Sequence, residues 1–193
     1  MKNLWDQKRA SKLENNPLQL RVYSSQLLGL NSDLVMHGGG NTSIKLRESN
    51  IFGEEEDILY VKGSGRNLFN ISSEDFTPLR MKHMKKLMKF TNISDKIMVL
   101  EQQVAMTNPE APSPSVEALL HAIIPFCWID HTHADAVVTL TNTPKGEKLI
   151  QDLYGNRFLI IPYIMPGFKL ARKVYEITQK VDWQKYEGMI LLN

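Results

Sequence analysis

The order of apolar and polar positions divides the chain into short helical and strand-like runs. From Pro17 to Leu30 the residues Leu18, Leu20, Val22, Tyr23, Leu27, Leu28 and Leu30 recur near helical spacing. Pro17 suits a first turn, so a core-facing helix is predicted there. Gly38, Gly39 and Gly40 then free the backbone to turn, and the alternation after Asn41 predicts a strand. Glu54 to Asp57 read as a solvated hairpin tip before a second strand, Ile58 to Lys62, which Gly63-Ser64-Gly65 closes. Ser72-Ser73-Glu74-Asp75 has the polar start of a helix. The segment from there to Phe90 sets Leu79, Met84, Leu87 and Met88 among basic residues, which predicts a packed helix with a solvated face. Thr107 to Ser115 reads as a loop, and helical spacing resumes from Val116 to Ile124.

The run Ile129 to Val137 reads as a buried strand, followed by a turn at Asn142 to Gly146 and a short helix through Leu153. A strand at Phe158 to Tyr163, a break at Met165-Pro166-Gly167 and a helix from Lys169 to Val181 come next. The last run, Gly188 to Asn193, looks like the start of a strand. With no internal repeat and no linker, residues 1–193 are expected to form a single domain.

Composition narrows the classes of function. Twenty-three Lys and Arg against 21 Asp and Glu leave a net charge of +2, so no general attraction to nucleic acid or membrane is implied. The start of the chain lacks an apolar signal core, and no run is long and apolar enough to span a bilayer. One cysteine, Cys127, excludes an internal disulfide and fits a reducing compartment, so a cytoplasmic protein is expected. Between Phe126 and Trp128 it reads as a small buried apolar residue in preference to a nucleophile.

Candidate chemistry centres on Ile129-Asp130-His131-Thr132-His133. In a strand, residues i and i+2 share a face, so His131 and His133 would stand side by side as a metal chelate with zinc the usual guest. Such a pair also occurs as solvent-facing or hydrogen-bonded core histidines. Glu117 lies near the start of the helix after the Pro-rich loop, where a carboxylate serves either as a cap or as an acid/base near a metal. His121, one turn on, would share its face and could orient it. The Gly38 to Ser43 and Gly63 to Gly65 loops are two places where backbone amides and hydroxyls could meet a phosphate. Neither is a Walker loop nor a dinucleotide fingerprint.

Taken in order, Gly39-Gly40-Asn41-Thr42-Ser43, Lys62-Gly63-Ser64-Gly65, Pro114-Ser115-Val116-Glu117 with His121, and His131-Thr132-His133-Ala134-Asp135-Ala136 resemble the class II aldolase/adducin N-terminal domain family. Within it the pattern is most similar to the aldolase portion of bifunctional rhamnulose-1-phosphate aldolase/short-chain dehydrogenases, with nothing resembling the dehydrogenase half. The resemblance implies an α/β fold: a three-layer α/β/α domain around a mainly antiparallel central sheet, often in a homo-oligomer such as a tetramer. It implies that Asn41, Ser64, Gly65 and Ser115 bind the phosphate of a small sugar-phosphate substrate, that His131 and His133 ligate Zn2+ or another divalent metal, and that Glu117 is the acid/base.

The reaction implied is cleavage of a ketose 1-phosphate, best matched by L-rhamnulose 1-phosphate, to dihydroxyacetone phosphate and an aldehyde. A sugar-phosphate epimerase and a non-catalytic adducin-like interaction module are the alternatives in the same family. Two departures stand out. Val116 replaces a second family serine, and the chain stops at Asn193, where the family's third zinc-binding His would come next. The domain is therefore expected to lack its C-terminal part.

Overall fold

The structure, a computed structural model, describes residues 2–192. A short helix, α1 (Gln7–Ser11), is capped by the Asp6 carboxylate, which accepts from the amides of Lys8 and Arg9. Helix α2 (Pro17–Gly29) begins at the predicted proline and is capped by Asn16. Strand β1 (Asn41–Ser49) follows the glycine turn and pairs antiparallel with β2 (Glu55–Lys62). The tip between them is Asn50 to Gly53, so the acidic cluster lies mostly on β2 instead of forming the tip. There Glu55 meets Arg47 at 3.5 Å and Glu56 meets Arg80 at 3.6 Å.

The helix expected from Ser72 to Phe90 is only partly present. After a single 3-10 turn, residues Phe76–Arg80 form strand β3, paired antiparallel with β2, and α3 (Met81–Lys86) starts beyond it. Pro78 suits this position, because β3 is an edge strand and need not donate there. Helix α4 (Asp95–Val104), capped by Ser94, has no counterpart in the sequence reading. Helix α5 (Ala118–Ile123) leads to β4 (Trp128–His131), which pairs with the start of β1.

The predicted strand from Ile129 to Val137 stops at His131, and Asp135–Thr141 form helix α6. The Val137 and Val138 side chains imitate a strand, but the backbone is bent away by two bonds to an earlier loop: His133 N–H to the Leu34 carbonyl and Asp135 N–H to that of Asp33, both 2.9 Å. Helix α7 (Gly146–Tyr154), strand β5 (Phe158–Ile161), helix α8 (Phe168–Thr178) and strand β6 (Gly188–Leu191) follow as expected within a few residues. Asn193, placed in the last strand by the sequence reading, lies outside the described residues.

The central sheet has the order β3-β2-β1-β4 and is antiparallel throughout, with β5 and β6 forming a separate parallel pair. Its two faces are both covered. Val22 of α2 packs with Leu68, Ile71 and Phe76 on one side, while Leu59, Val61 and Leu79 pack with α3, α5 and α8 on the other. Leu159 and Ile161 of β5 extend the second layer past Ile129 of β4. Strand alternation assigns odd-numbered β1 residues to the α5 side and even ones to the α2 side, which sets up the site. Cys127 is exposed, contrary to the sequence expectation, because β4 begins only at Trp128; its thiol donates to the Lys45 carbonyl at 3.1 Å.

Candidate active site

Three distant segments meet at one end of the sheet. Asn41 opens β1 directly opposite His131 at the end of β4, and Glu117 stands at the N-cap of α5. Glu117 does not cap its helix with its side chain. Its carboxylate turns to the sheet instead, where Oε2 lies 3.2 Å from His131 Nδ1 and accepts from Asn41 Nδ2 at 3.4 Å. Burial alone would raise the Glu117 pKa. The hydrogen bond and charge of His131, the charge of His121 and the Asn41 amide outweigh it, lowering the pKa to about 2. The carboxylate is thus ionised at neutral pH and rests in its proton-accepting form.

His131 and His133 are neighbours, with ring centroids 4.9 Å apart, although the chain leaves the strand between them. His133 is only partly covered; that partial burial and the charge of His131 hold its pKa below the ordinary imidazole value. Two imidazoles beside a carboxylate are donors of the kind zinc takes. No group of three or more His, Cys, Asp or Glu stands close enough to chelate an ion among the described residues. The fit to a divalent metal therefore rests on the two imidazoles.

The glycine loops lie against each other. A Cβ on Gly38 would sit 3.5 Å from the Gly65 carbonyl, and Gly63 bridges antiparallel to Pro114, which brings Ser64 beside Ser113 and sets Ser115 opposite Lys62. Ser64 N–H donates to the Ser113 carbonyl at 2.8 Å, leaving its side chain exposed, and Gly65 holds φ +71°. Ser115 Oγ accepts from the Glu117 amide at 3.3 Å, so this hydroxyl holds the turn that leads into α5. Asn41, Ser64, Gly65, Ser115, Glu117, His131 and His133 are thus gathered by loops and strand ends at one rim of the sheet. Asn41, Thr42 and Ser43 are all fully buried, but only Asn41 turns its amide to Glu117; the Thr42 and Ser43 hydroxyls lie 2.9 Å from Ser25 Oγ and 2.7 Å from His121 Nδ1.

Lys62 is the residue whose part the sequence reading missed. Its buried ammonium donates to the Gly38 carbonyl at 2.9 Å and to that of Arg66 at 2.7 Å, tying the two glycine loops together. Burial lowers its pKa and the charge of Glu117 works against that. The signal was its place on the Ile58-Tyr60 side of β2, where a lysine needs buried partners.

A profile of the Class II Aldolase and Adducin N-terminal domain matches residues 20–193. The chain belongs to that family. It is 37% identical over 176 residues, 91% of its length, to the uncharacterized oxidoreductase YuxG of Bacillus subtilis (strain 168), of which it spans only 25%. The N-terminal class II aldolase domain of a conserved protein from Thermoplasma acidophilum superposes with a TM-score of 0.83 at 39% identity, covering 93% of this chain and 82% of that one. An aldolase II superfamily protein from Pseudomonas syringae shares the fold at TM-score 0.59 and 11% identity, over 96% of this chain and 67% of the other. The family includes enzymes of aldolase and lyase type, and class II aldolases generally use a divalent metal. No helix among the described residues of this class II aldolase domain is long and apolar enough to cross a membrane.

Proposed function

We propose that this domain carries out metal-assisted cleavage of a ketose 1-phosphate, with L-rhamnulose 1-phosphate the best match, to dihydroxyacetone phosphate and an aldehyde. The observation that carries the reading is the ionised Glu117 carboxylate, held by His131 and Asn41 at the rim where the two glycine loops converge. His131 and His133 hold the metal, zinc by donor type. A divalent cation bound there supplies Lewis-acid polarisation of the substrate carbonyl.

The remaining work belongs to the chain. Ser64, Gly65, Ser115 and Asn41 receive the phosphate, and Lys62 fixes the spacing of the loops that present them. In cleavage the ionised Glu117 accepts the proton of the hydroxyl on the carbon that departs as the aldehyde, the carbon–carbon bond breaks with its electron pair left on the ketose-derived fragment, and Glu117 returns the proton to the carbon that lost the aldehyde; synthesis runs the same steps in reverse. The 37% identity reaches over only 25% of a much longer protein named an oxidoreductase, so that protein's oxidoreductase activity is not carried over to this domain.

The test is zinc titration of this chain and of the double variant His131→Ala, His133→Ala, followed by assay of dihydroxyacetone phosphate release from ketose 1-phosphates. The expected result is one zinc per chain, abolished in the variant, and turnover lost in Glu117→Gln while zinc is retained. Equal zinc uptake by the parent and the double variant would place the metal elsewhere and remove the basis of the reading.

A further inference from the structure

The loop from Thr107 to Glu117 delivers two residues of the site, Ser115 and Glu117, and it is fastened at successive carbonyls. Thr77 Oγ1 of β3 donates to the Pro112 carbonyl at 2.6 Å, and the Ser64 amide donates to that of Ser113. The chain then turns into α5, with the Ala118 amide donating to the Ser115 carbonyl at 2.9 Å. A bond of that kind ties the ends of a four-residue turn and leaves the peptide at its centre unheld. Here the central peptide is the one between Val116 and Glu117.

Both edges of that peptide find partners. Its N–H, from Glu117, donates to Ser115 Oγ at 3.3 Å, and its carbonyl, from Val116, accepts from Gln102 Nε2 at 3.3 Å. A peptide unit is rigid and planar, with N–H and C=O on opposite edges, so holding both edges fixes its rotation. That rotation sets the direction in which the Glu117 side chain leaves the backbone. Glu117 sits at φ −83° and ψ −2°, and its carboxylate reaches His131 and Asn41 instead of the first amides of α5.

Gln102 shares the buried side of α4 with Met98 and is itself fully buried. Its Nε2 serves Val116, but its Oε1 has no hydrogen-bond partner among the described residues. A buried amide with one end unpaired costs stability, and a methionine of the same length would fill the space without that cost. The loop already has its two fastenings further back, so what this amide adds is the grip on the Val116 carbonyl. We propose that Gln102 is a positioning residue that acts through the Val116–Glu117 peptide and aims the Glu117 carboxylate at the sheet. Its effect on turnover rests on the aldol-cleavage reading above; its effect on geometry does not.

The test is Gln102→Met in the full chain, with Gln102→Leu as a second variant should the first lower the melting temperature. The expected result is a melting temperature no lower than the parent's, with kcat for ketose 1-phosphate cleavage reduced about tenfold or more and KM changed by less than about twofold. Amide hydrogen exchange at Glu117 should quicken by about tenfold while that along β2 stays as in the parent. A merely structural glutamine would behave otherwise: its loss would lower the melting temperature and leave kcat alone. An undiminished kcat in an active parent's variant, or Glu117 exchange that is unchanged or rises only in step with β2, would overturn the proposal. A parent that cleaves no ketose 1-phosphate counts against the aldolase reading alone, and the exchange rates then decide whether Gln102 holds the peptide.

Discussion

His121 is the side chain that most directly links the site to stability. It is fully buried, its Nδ1 is 2.7 Å from Ser43 Oγ, and its Nε2 has no partner among the described residues. Burial, aided by the charge of His131 and opposed by that of Glu117, lowers its pKa to about 3. The unfolded chain takes up a proton at this residue below about pH 6.5, while the folded chain stays neutral until about pH 3. Unfolding therefore binds a proton in that window, and stability falls on acidification with a slope of up to about 1.4 kcal/mol per pH unit. Urea unfolding of metal-free protein at several pH values checks this: His121→Asn, which can still meet Ser43, is expected to flatten the slope between about pH 6.5 and 4.5. An unchanged slope would assign the acid sensitivity to other groups. Below about 4.5 the depressed Glu117 adds a loss of the same sign.

Among the elements, the turn before β1 is the most constrained. Gly40 holds φ +68°, and a Cβ there would meet Val35 Cγ1 at 2.4 Å and the His131 carbonyl at 3.0 Å. Gly40→Ala is expected to cost about 1–3 kcal/mol in denaturant unfolding and to weaken zinc binding, because the added carbon presses on the end of β4. A loss below about 0.5 kcal/mol would mean that the turn relaxes freely. The three glycines advertised this turn in the sequence, as Pro17 advertised α2. Other elements were hidden for identifiable reasons. Residues 76–80 fit a helical pattern but pair with β2, so long-range hydrogen bonding overrode local spacing. Val137, Val138 and Thr139 are strand formers by propensity, yet Thr139 Oγ1 bonds back to the Asp135 carbonyl at 2.7 Å within α6.

For the molecule as a whole, the site was legible as types of residue and not as partnerships. His131, His133, Glu117 and the glycine loops could be named from spacing and resemblance, but the carboxylate's choice of His131 over its own helix depends on where α5 lands on the sheet. The partners of Lys62 and Arg21 were not legible: a lone base in an apolar run signals that it needs buried partners but not which distant groups supply them. If zinc binds the folded site alone, saturating the protein at a hundredfold excess over Kd should stabilise it by about 2.7 kcal/mol, read as a higher melting temperature. The His131→Ala, His133→Ala variant should show no such rise; an equal rise in both would mean that zinc acts away from these residues.

The alternation along β4 carries one more implication. Asp130 faces α2 and its buried arginine, while His131 faces Glu117 on the opposite side of the sheet. A slip of a single residue in the β1–β4 pairing would exchange them, setting one carboxylate against another and an imidazole against a guanidinium. Misaligned chains would be penalised on both faces at once, so the polar residues that furnish the chemistry also proofread the strand's alignment during folding.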